Sequence, residues 1–131
     1  MSFRHLMFYV KDLSVSRPFY DAVLGHIAYS LAHGSETYAM WMPQDGGVGL
    51  GLSQSPADLA ELPPHRGAPG LHHLAFNATD RDQIDSLYRD VLLPLKTQIL
   101  DPPVACPEYS STYYAVYFTD PDGLKLEVAH S

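Results

Sequence analysis

The chain contains an internal duplication, and this feature limits the folds open to it more than any other. Residues 5–24 align without a gap with residues 73–92, at an offset of 68 positions. Chance would produce about one or two identities in such an alignment. A solenoid needs more repeats, and shorter ones, than the two copies found here. Seven of the twenty aligned pairs are identical: His5/His73, Leu6/Leu74, Phe8/Phe76, Asp12/Asp80, Tyr20/Tyr88, Val23/Val91 and Leu24/Leu92. The sequence therefore predicts two related halves that face each other.

Each half predicts the same order of elements, one strand, one helix and then three strands. Asp12 and Asp80 are the expected helix N-caps, Gly25 is the expected C-cap of the first helix, and Pro18 fits that helix only in its first turn. The predicted strands cover residues 3–10, 26–32, 38–42 and 48–53, then 71–78, 96–100, 113–119 and 124–130. A chain of 131 residues fits one domain. We expect an α+β fold with a βαβββ module over residues 1–54, a linker over 55–69 and a second βαβββ module over 70–131.

Charge and cysteine content exclude several classes of protein. The formal net charge is −7 and the eight Lys and Arg are scattered, so no basic patch can be assembled for nucleic acid or an anionic membrane. No stretch approaches the roughly 18–20 apolar residues of a membrane span, and Lys11 and Asp12 come too early for a signal peptide. The single cysteine, Cys106, cannot form an internal disulfide, which favours a reducing cytoplasm. The expected partner is a small molecule.

Strand periodicity selects the residues that could carry chemistry. His5 and His73 are equivalent in the repeat, so a near-twofold arrangement would aim both side chains at one central point. Side chains alternate along a strand, which predicts that His72 points away from His73. Glu127 lies on the opposite face of the last strand from its apolar neighbours, and a carboxylate inside a sheet needs a partner. Two histidines and one carboxylate form a set typical of non-haem Fe(II) and related divalent-metal sites.

These motifs resemble the vicinal oxygen chelate superfamily, which comprises glyoxalase I, bleomycin-resistance proteins, fosfomycin-resistance enzymes and extradiol dioxygenases. The resemblance covers nearly the whole chain. It rests on the doubled βαβββ unit, on His5 and His73 at the start of each copy, and on the Asp-Pro-Asp-Gly turn at 120–123 with Glu127 four residues later. It implies a curved mixed sheet around a central cleft, often in a homodimer. It also implies that His5, His73 and Glu127 bind a divalent metal, Fe, Mn, Ni or Zn.

Two departures from the family pattern leave the reaction open. Glyoxalase I carries a second acid at the end of its first module, where this chain has Gly51 or Ser53, depending on the register. Extradiol dioxygenases place a tyrosine ten residues before the glutamate, which Tyr117 matches, but the histidine expected earlier is missing from residues 108–110. One interpretation is a metal-dependent enzyme, a lyase or isomerase of the lactoylglutathione lyase type or an extradiol-type dioxygenase. The other is a non-catalytic binding protein of the bleomycin-resistance kind.

Candidate site residues follow from the enzyme interpretation. Glu127 and Tyr117 are the candidate catalytic residues, with Tyr117 as a hydrogen-bond or proton donor to bound substrate. The candidate substrate-binding residues lie on strands of the two modules: Met7, Tyr9, Trp41, Ala75, Tyr113 and Ala115. Core packing is the alternative role for the strand aromatics. Cys106 has no base or cation beside it in the sequence, which argues against a nucleophile.

Overall fold

The structure, a computed structural model, describes residues 3–61, 67 and 69–131. It divides into two compact units, Met1–Pro63 and Pro64–Ser131. The first unit contains β1 (His5–Val10), α1 (Leu13–His26), β2 (Tyr29–Gly34), β3 (Tyr38–Pro43) and β4 (Gly49–Gln54). The second contains β5 (Leu74–Asn77), α2 (Arg81–Leu87) continued by a π-helical turn (Tyr88–Leu92), β6 (Ile99–Ala105), β7 (Tyr114–Thr119) and β8 (Lys125–His130). The predicted α+β class and the twice-repeated βαβββ order are confirmed.

Each unit has one four-stranded mixed sheet, and the strand order is the same in both. The orders are β1-β4-β3-β2 and β5-β8-β7-β6. In each sheet the strand before the helix runs parallel to the last strand of its unit, and the other neighbours are antiparallel. A duplication predicts this identity of order. It also places the start of the first strand of each unit beside the last strand.

The two helices begin as predicted, but the end of α1 differs. Asp12 Oδ1 accepts a hydrogen bond from the Ser14 N–H at 2.9 Å, and Asp80 Oδ1 accepts one from the Gln83 N–H at 2.8 Å, which confirms both N-caps. Pro18 lies in the second turn of α1, and the helix runs past Gly25 to His26. Both expectations were wrong. The buried face of α1 continues through this segment, and its packing outweighs the hydrogen bond that Pro18 cannot donate.

One face of each sheet packs against the helix of the same unit. In the first unit Tyr20 of α1 is fully buried, with its ring 6.1 Å from that of Trp41 on β3. In the second unit Ile84 and Leu87 of α2 are fully buried, as are Val116, Phe118, Leu126 and Val128 of the sheet. Because side chains alternate along a strand, the residues between them on β7 and β8 lie on the other face. Tyr117 and Glu127 are on that second face.

Two further findings bear on the predicted organisation. Within the described part of the chain, no helix is both long and apolar enough to cross a membrane. Of the predicted linker, residues 62–66 and 68 lie outside the described residues, while residues 57–61 form a turn.

Candidate metal centre

The turn between β7 and β8 sets the position of Glu127. Gly123 has a φ of 90°, a left-handed conformation that glycine adopts without steric cost. Asp120 Oδ1 accepts hydrogen bonds from the Asp122 and Leu124 N–H groups, at 2.9 and 2.8 Å. The turn folds β8 back on β7 so that Tyr117 is paired directly with Glu127. The ten-residue spacing noted in the sequence is therefore a cross-strand pair.

Both carboxylate oxygens of Glu127 have a partner. The residue is 4% exposed. Oε1 accepts a hydrogen bond from the Tyr113 hydroxyl at 2.6 Å, and Oε2 lies 3.2 Å from His73 Nε2. Ala75 of β5 is paired with Glu127, so His73, two residues earlier, lies beside the same stretch of β8. These contacts give the buried carboxylate the polar partners that it needs. They also bring together His73 and Glu127, the two metal ligands that the sequence predicts in the second unit.

His72 is part of this site, contrary to expectation. Its Nδ1 lies 2.6 Å from His73 Nδ1, and the two rings meet edge to face with centroids 4.9 Å apart. The alternation rule failed because β5 begins only at Leu74, so residues 72 and 73 precede the regular strand. The adjacent pair of histidines in the sequence was the signal that could have identified His72.

Two tyrosines beside Glu127 hold their protons strongly. The hydrogen bond to Glu127, helped by burial, raises the pKa of Tyr113 to about 12. Burial raises the pKa of Tyr117 well above its usual value, and the negative charge of Glu127 raises it further. The Lys125 ammonium lies 4.6 Å from the centre of the Tyr117 ring, a cation–π contact. Near neutral pH both hydroxyls are therefore hydrogen-bond donors and cannot act as bases.

Replacing Tyr113 with phenylalanine is expected to change stability in a pH-dependent way. Because its pKa is raised in the folded state, the stabilisation from its hydrogen bond is full below about pH 10 and is lost as the pH rises through about 12. The stability advantage of the wild type over Tyr113→Phe should shrink across that window. Urea unfolding of both proteins between pH 8 and 12 measures it. A constant difference over the whole range would contradict the Tyr113–Glu127 hydrogen bond.

A cavity of about 610 Å³ lies beside His72, His73, Tyr113, Tyr117 and Glu127. Its volume is within the roughly 300–1,000 Å³ range of small-molecule sites. All of its lining residues belong to the second unit: His72, His73, Asp101, Val104, Ala105, Cys106, Glu108, Tyr109, Tyr113, Tyr117, Lys125 and Glu127. The wall thus combines aromatic rings with carboxylates, two imidazoles and one ammonium group. Such a cavity suits a small polar molecule.

The remaining predicted residues have different environments. His5, Met7 and Tyr9 are exposed on one face of β1, with exposed fractions of 43% for Met7 and 67% for Tyr9. Trp41 is buried in the core of the first unit, where its indole Nε1 donates a hydrogen bond to Asp21 Oδ1 at 2.8 Å.

Two small residues complete the set. Ala75 is exposed on β5 beside Glu127. Ala115 is fully buried in a cluster with Cys106, Tyr117 and Ala129. Core packing alone explains Trp41 and Ala115. Contact of these residues with a ligand stays a prediction.

Gly51 is the counterpart of Glu127 in the first unit. Met7 is paired with Gly51 on β4, as its repeat equivalent Ala75 is paired with Glu127 on β8. The register therefore selects Gly51, and not Ser53, as the equivalent of the second acid of glyoxalase I. A Cβ at Gly51 would lie 2.7 Å from Met7 Cγ and 2.8 Å from Met40 Cε. Two methionine side chains would therefore have to shift to admit any side chain at Gly51.

The geometry of His73 and Glu127 fits adjacent ligands of one divalent ion. With ligand bonds of about 2.0–2.2 Å at octahedral or tetrahedral angles, two adjacent donors lie about 2.8–3.6 Å apart. His73 Nε2 and Glu127 Oε2 are 3.2 Å apart. No group of three His, Cys, Asp or Glu residues suited to hold a metal occurs among residues 3–61, 67 and 69–131. His5, on β1 of the first unit, stays the predicted third ligand.

Comparison with known proteins assigns the family. The model of the glyoxalase/bleomycin resistance protein/dioxygenase superfamily matches residues 2–128. The chain is 33% identical over 126 residues to metallothiol transferase FosB of Lysinibacillus sphaericus (strain C3-41), covering 96% of this chain and 79% of the relative.

Solved structures agree with this assignment. A glyoxalase-type protein from Bacillus halodurans is 25% identical with a TM-score of 0.83, covering 98% of this chain and 95% of the other. A glyoxalase/bleomycin resistance protein from Albidiferax ferrireducens T118 is 25% identical with a TM-score of 0.77, covering 98% of each chain. The predicted resemblance to the vicinal oxygen chelate proteins is confirmed, and the chain belongs to the glyoxalase/bleomycin resistance protein/dioxygenase superfamily.

Proposed function

We propose that the protein is an enzyme that binds one divalent metal ion through His73 and Glu127 and holds a small oxygen-bearing substrate in the adjoining cavity. The observation that carries the proposal is the buried Glu127 carboxylate, with one oxygen on the Tyr113 hydroxyl and the other 3.2 Å from His73 Nε2. A relative named as a metallothiol transferase supports a metal-dependent activity. The internal repeat and the family resemblance support His5 as the third metal ligand. Fe, Mn, Ni and Zn all suit imidazole and carboxylate donors.

The side chains around Glu127 have distinct roles in this proposal. When bound, the metal supplies Lewis-acid polarisation of substrate oxygens. The Tyr113 hydroxyl donates a hydrogen bond to Glu127 Oε1, so Oε2 is the oxygen that would bind the metal. Tyr117 retains its proton and, from the cavity wall, donates a hydrogen bond to an oxygen of the substrate. The Lys125 ammonium over the Tyr117 ring places a positive charge on the same wall.

Within the superfamily, we favour transfer of a thiol to the substrate: the thiolate sulfur forms a bond to a substrate carbon, the bond from that carbon to oxygen breaks, and the oxygen takes up the proton that the thiol has lost. Isomerisation of the glyoxalase I type uses a second acid, and this chain has Gly51 at the position of that acid. The extradiol dioxygenase pattern calls on a histidine where residues 108–110 are Glu-Tyr-Ser. Thiol transfer needs neither residue, because the thiolate is itself the nucleophile. The metallothiol transferase relative supports this choice over the lyase and dioxygenase alternatives.

Metal binding and its pH dependence test the proposal. We expect about one equivalent of metal after incubation with Mn(II), Ni(II) or Zn(II). We expect affinity to fall steeply below about pH 6, because a protonated imidazole cannot act as a ligand. Elemental analysis and calorimetric titration between pH 8 and 5 measure both. An affinity that stays flat over this range would contradict histidine ligation.

The second candidate function is binding without catalysis. The cavity of about 610 Å³, lined by tyrosines and carboxylates, would also suit a drug-like or cationic molecule held as bleomycin-resistance proteins hold theirs. Less than about a tenth of an equivalent of metal after incubation with excess salts would favour this function. A cytoplasmic location and a homodimer belong to both proposals.

A further inference from the structure

His72 lies against the proposed ligand His73 on the side away from Glu127. The two Nδ1 atoms are 2.6 Å apart, while Nε2 of His73 faces Glu127 Oε2 at 3.2 Å. Each ring nitrogen of His73 therefore has its own partner. We infer that His72 is a positioning residue that prepares His73 for metal through this Nδ1–Nδ1 hydrogen bond. The inference rests on the proposed function, since it concerns the proposed metal ligand.

The direction of the hydrogen bond follows from the chemistry of imidazole. A neutral ring carries one hydrogen, and a ligand nitrogen must offer its lone pair. If His73 Nε2 is the ligand, the hydrogen is on its Nδ1, which donates to the Nδ1 lone pair of His72. This matches a general pattern in which a ligating histidine donates its other N–H group to a second residue that fixes its tautomer and orientation.

His73 has a competing arrangement that His72 opposes. With the hydrogen on Nε2, His73 would donate it to Glu127 Oε2, and the two proposed ligands would satisfy each other instead of a metal. An acceptor at His72 Nδ1 stabilises the tautomer with Nε2 unprotonated. Removing that acceptor favours the closed His73–Glu127 pair, so metal affinity should fall although neither ligand has been changed.

A matched pair of substitutions separates the hydrogen bond from simple ring packing. The side-chain amide of His72→Asn places an oxygen or nitrogen where histidine has Nδ1, on the same Cγ atom. His72→Leu has the same branched shape with methyl groups and no acceptor. Because His72 is exposed, neither change removes a core side chain. Thermal unfolding in the presence of EDTA checks that both variants are folded.

The experiment measures the dissociation constant of Zn(II) alone for the wild type and both variants. We expect His72→Leu to weaken binding by about 10–100-fold and His72→Asn to stay within about threefold of the wild type. In the zinc-loaded proteins, nitrogen-15 NMR should show a protected His73 Nδ1–H in the wild type and His72→Asn, and its loss by exchange in His72→Leu. His72→Leu binding within threefold of the wild type would overturn the inference alone. Equal weakening in both variants would do the same. A wild type that binds neither Zn(II) nor Mn(II) would overturn the proposed function together with it.

Discussion

Replacement of Glu127 by glutamine abolishes metal binding while the protein stays folded; this is the largest effect on function that the structure leads us to expect. The amide keeps the shape of the side chain and an oxygen that can accept from Tyr113, but it loses the negative charge that attracts a divalent ion. The loss should exceed the roughly 10–100-fold typical for removal of an outer partner of a ligand. Calorimetric titration with Zn(II) and Mn(II) measures it.

The matched control for this experiment is Tyr113→Phe, which removes only the hydrogen bond to Oε1. Its metal affinity should fall far less than that of Glu127→Gln, because the carboxylate remains. Thermal unfolding of both variants in EDTA shows whether the fold is retained. Unchanged metal affinity in Glu127→Gln would exclude Glu127 as a ligand and, with it, the proposed centre.

Truncation of Trp41 to alanine is expected to lower the free energy of unfolding by about 3–5 kcal/mol, the usual range for a large aromatic residue in a core. Trp41 is 1% exposed, packs beside Tyr20 and donates a hydrogen bond to Asp21. Its removal leaves a cavity and takes a donor from that carboxylate. Chemical denaturation at neutral pH measures the change.

Tyr9→Ala is the control, because Tyr9 is 67% exposed and such positions usually change stability by no more than about 0.5 kcal/mol. The two variants also separate the roles predicted from the sequence. If Trp41→Ala were as stable as the wild type but no longer bound the small-molecule ligand of the protein, Trp41 would be a binding residue and the packing argument would be wrong.

Much of the fold could be predicted because the repeat and the strand pattern reflect backbone geometry. The element order and the caps at Asp12 and Asp80 depend on local hydrogen bonding, which residue type reveals directly. The end of α1 could not be predicted in this way. Gly25 suited a C-cap, but the helix continues to His26, and the buried residue Ile27 is the C-cap. The left-handed conformation that favours glycine is adopted by Ala28 instead, with a φ of 64°, so residue type did not reveal this boundary.

The site was predictable only in part, for a related reason. The ten-residue spacing of Tyr117 and Glu127 encodes a hairpin register, so sequence alone could indicate that they meet. The Tyr113 hydrogen bond to Glu127 and the His72–His73 contact depend on side-chain directions. Alternation along an ideal strand does not describe residues that precede β5. The sequence therefore identified the proposed ligands and missed what orients His73.

The methionines around Gly51 have a consequence for how this chain can change its chemistry. A carboxylate introduced at Gly51 alone would meet Met7 and Met40 closer than real Cβ contacts come, and overpacking of this kind typically costs about 1–3 kcal/mol. A carboxylate at this position would also lose part of its hydration, because the thioether side chains cannot replace the hydrogen bonds of water. Laboratory evolution toward a two-acid site would therefore be helped by shorter side chains in place of Met7 and Met40, which would relieve the close contacts of a new acid at Gly51.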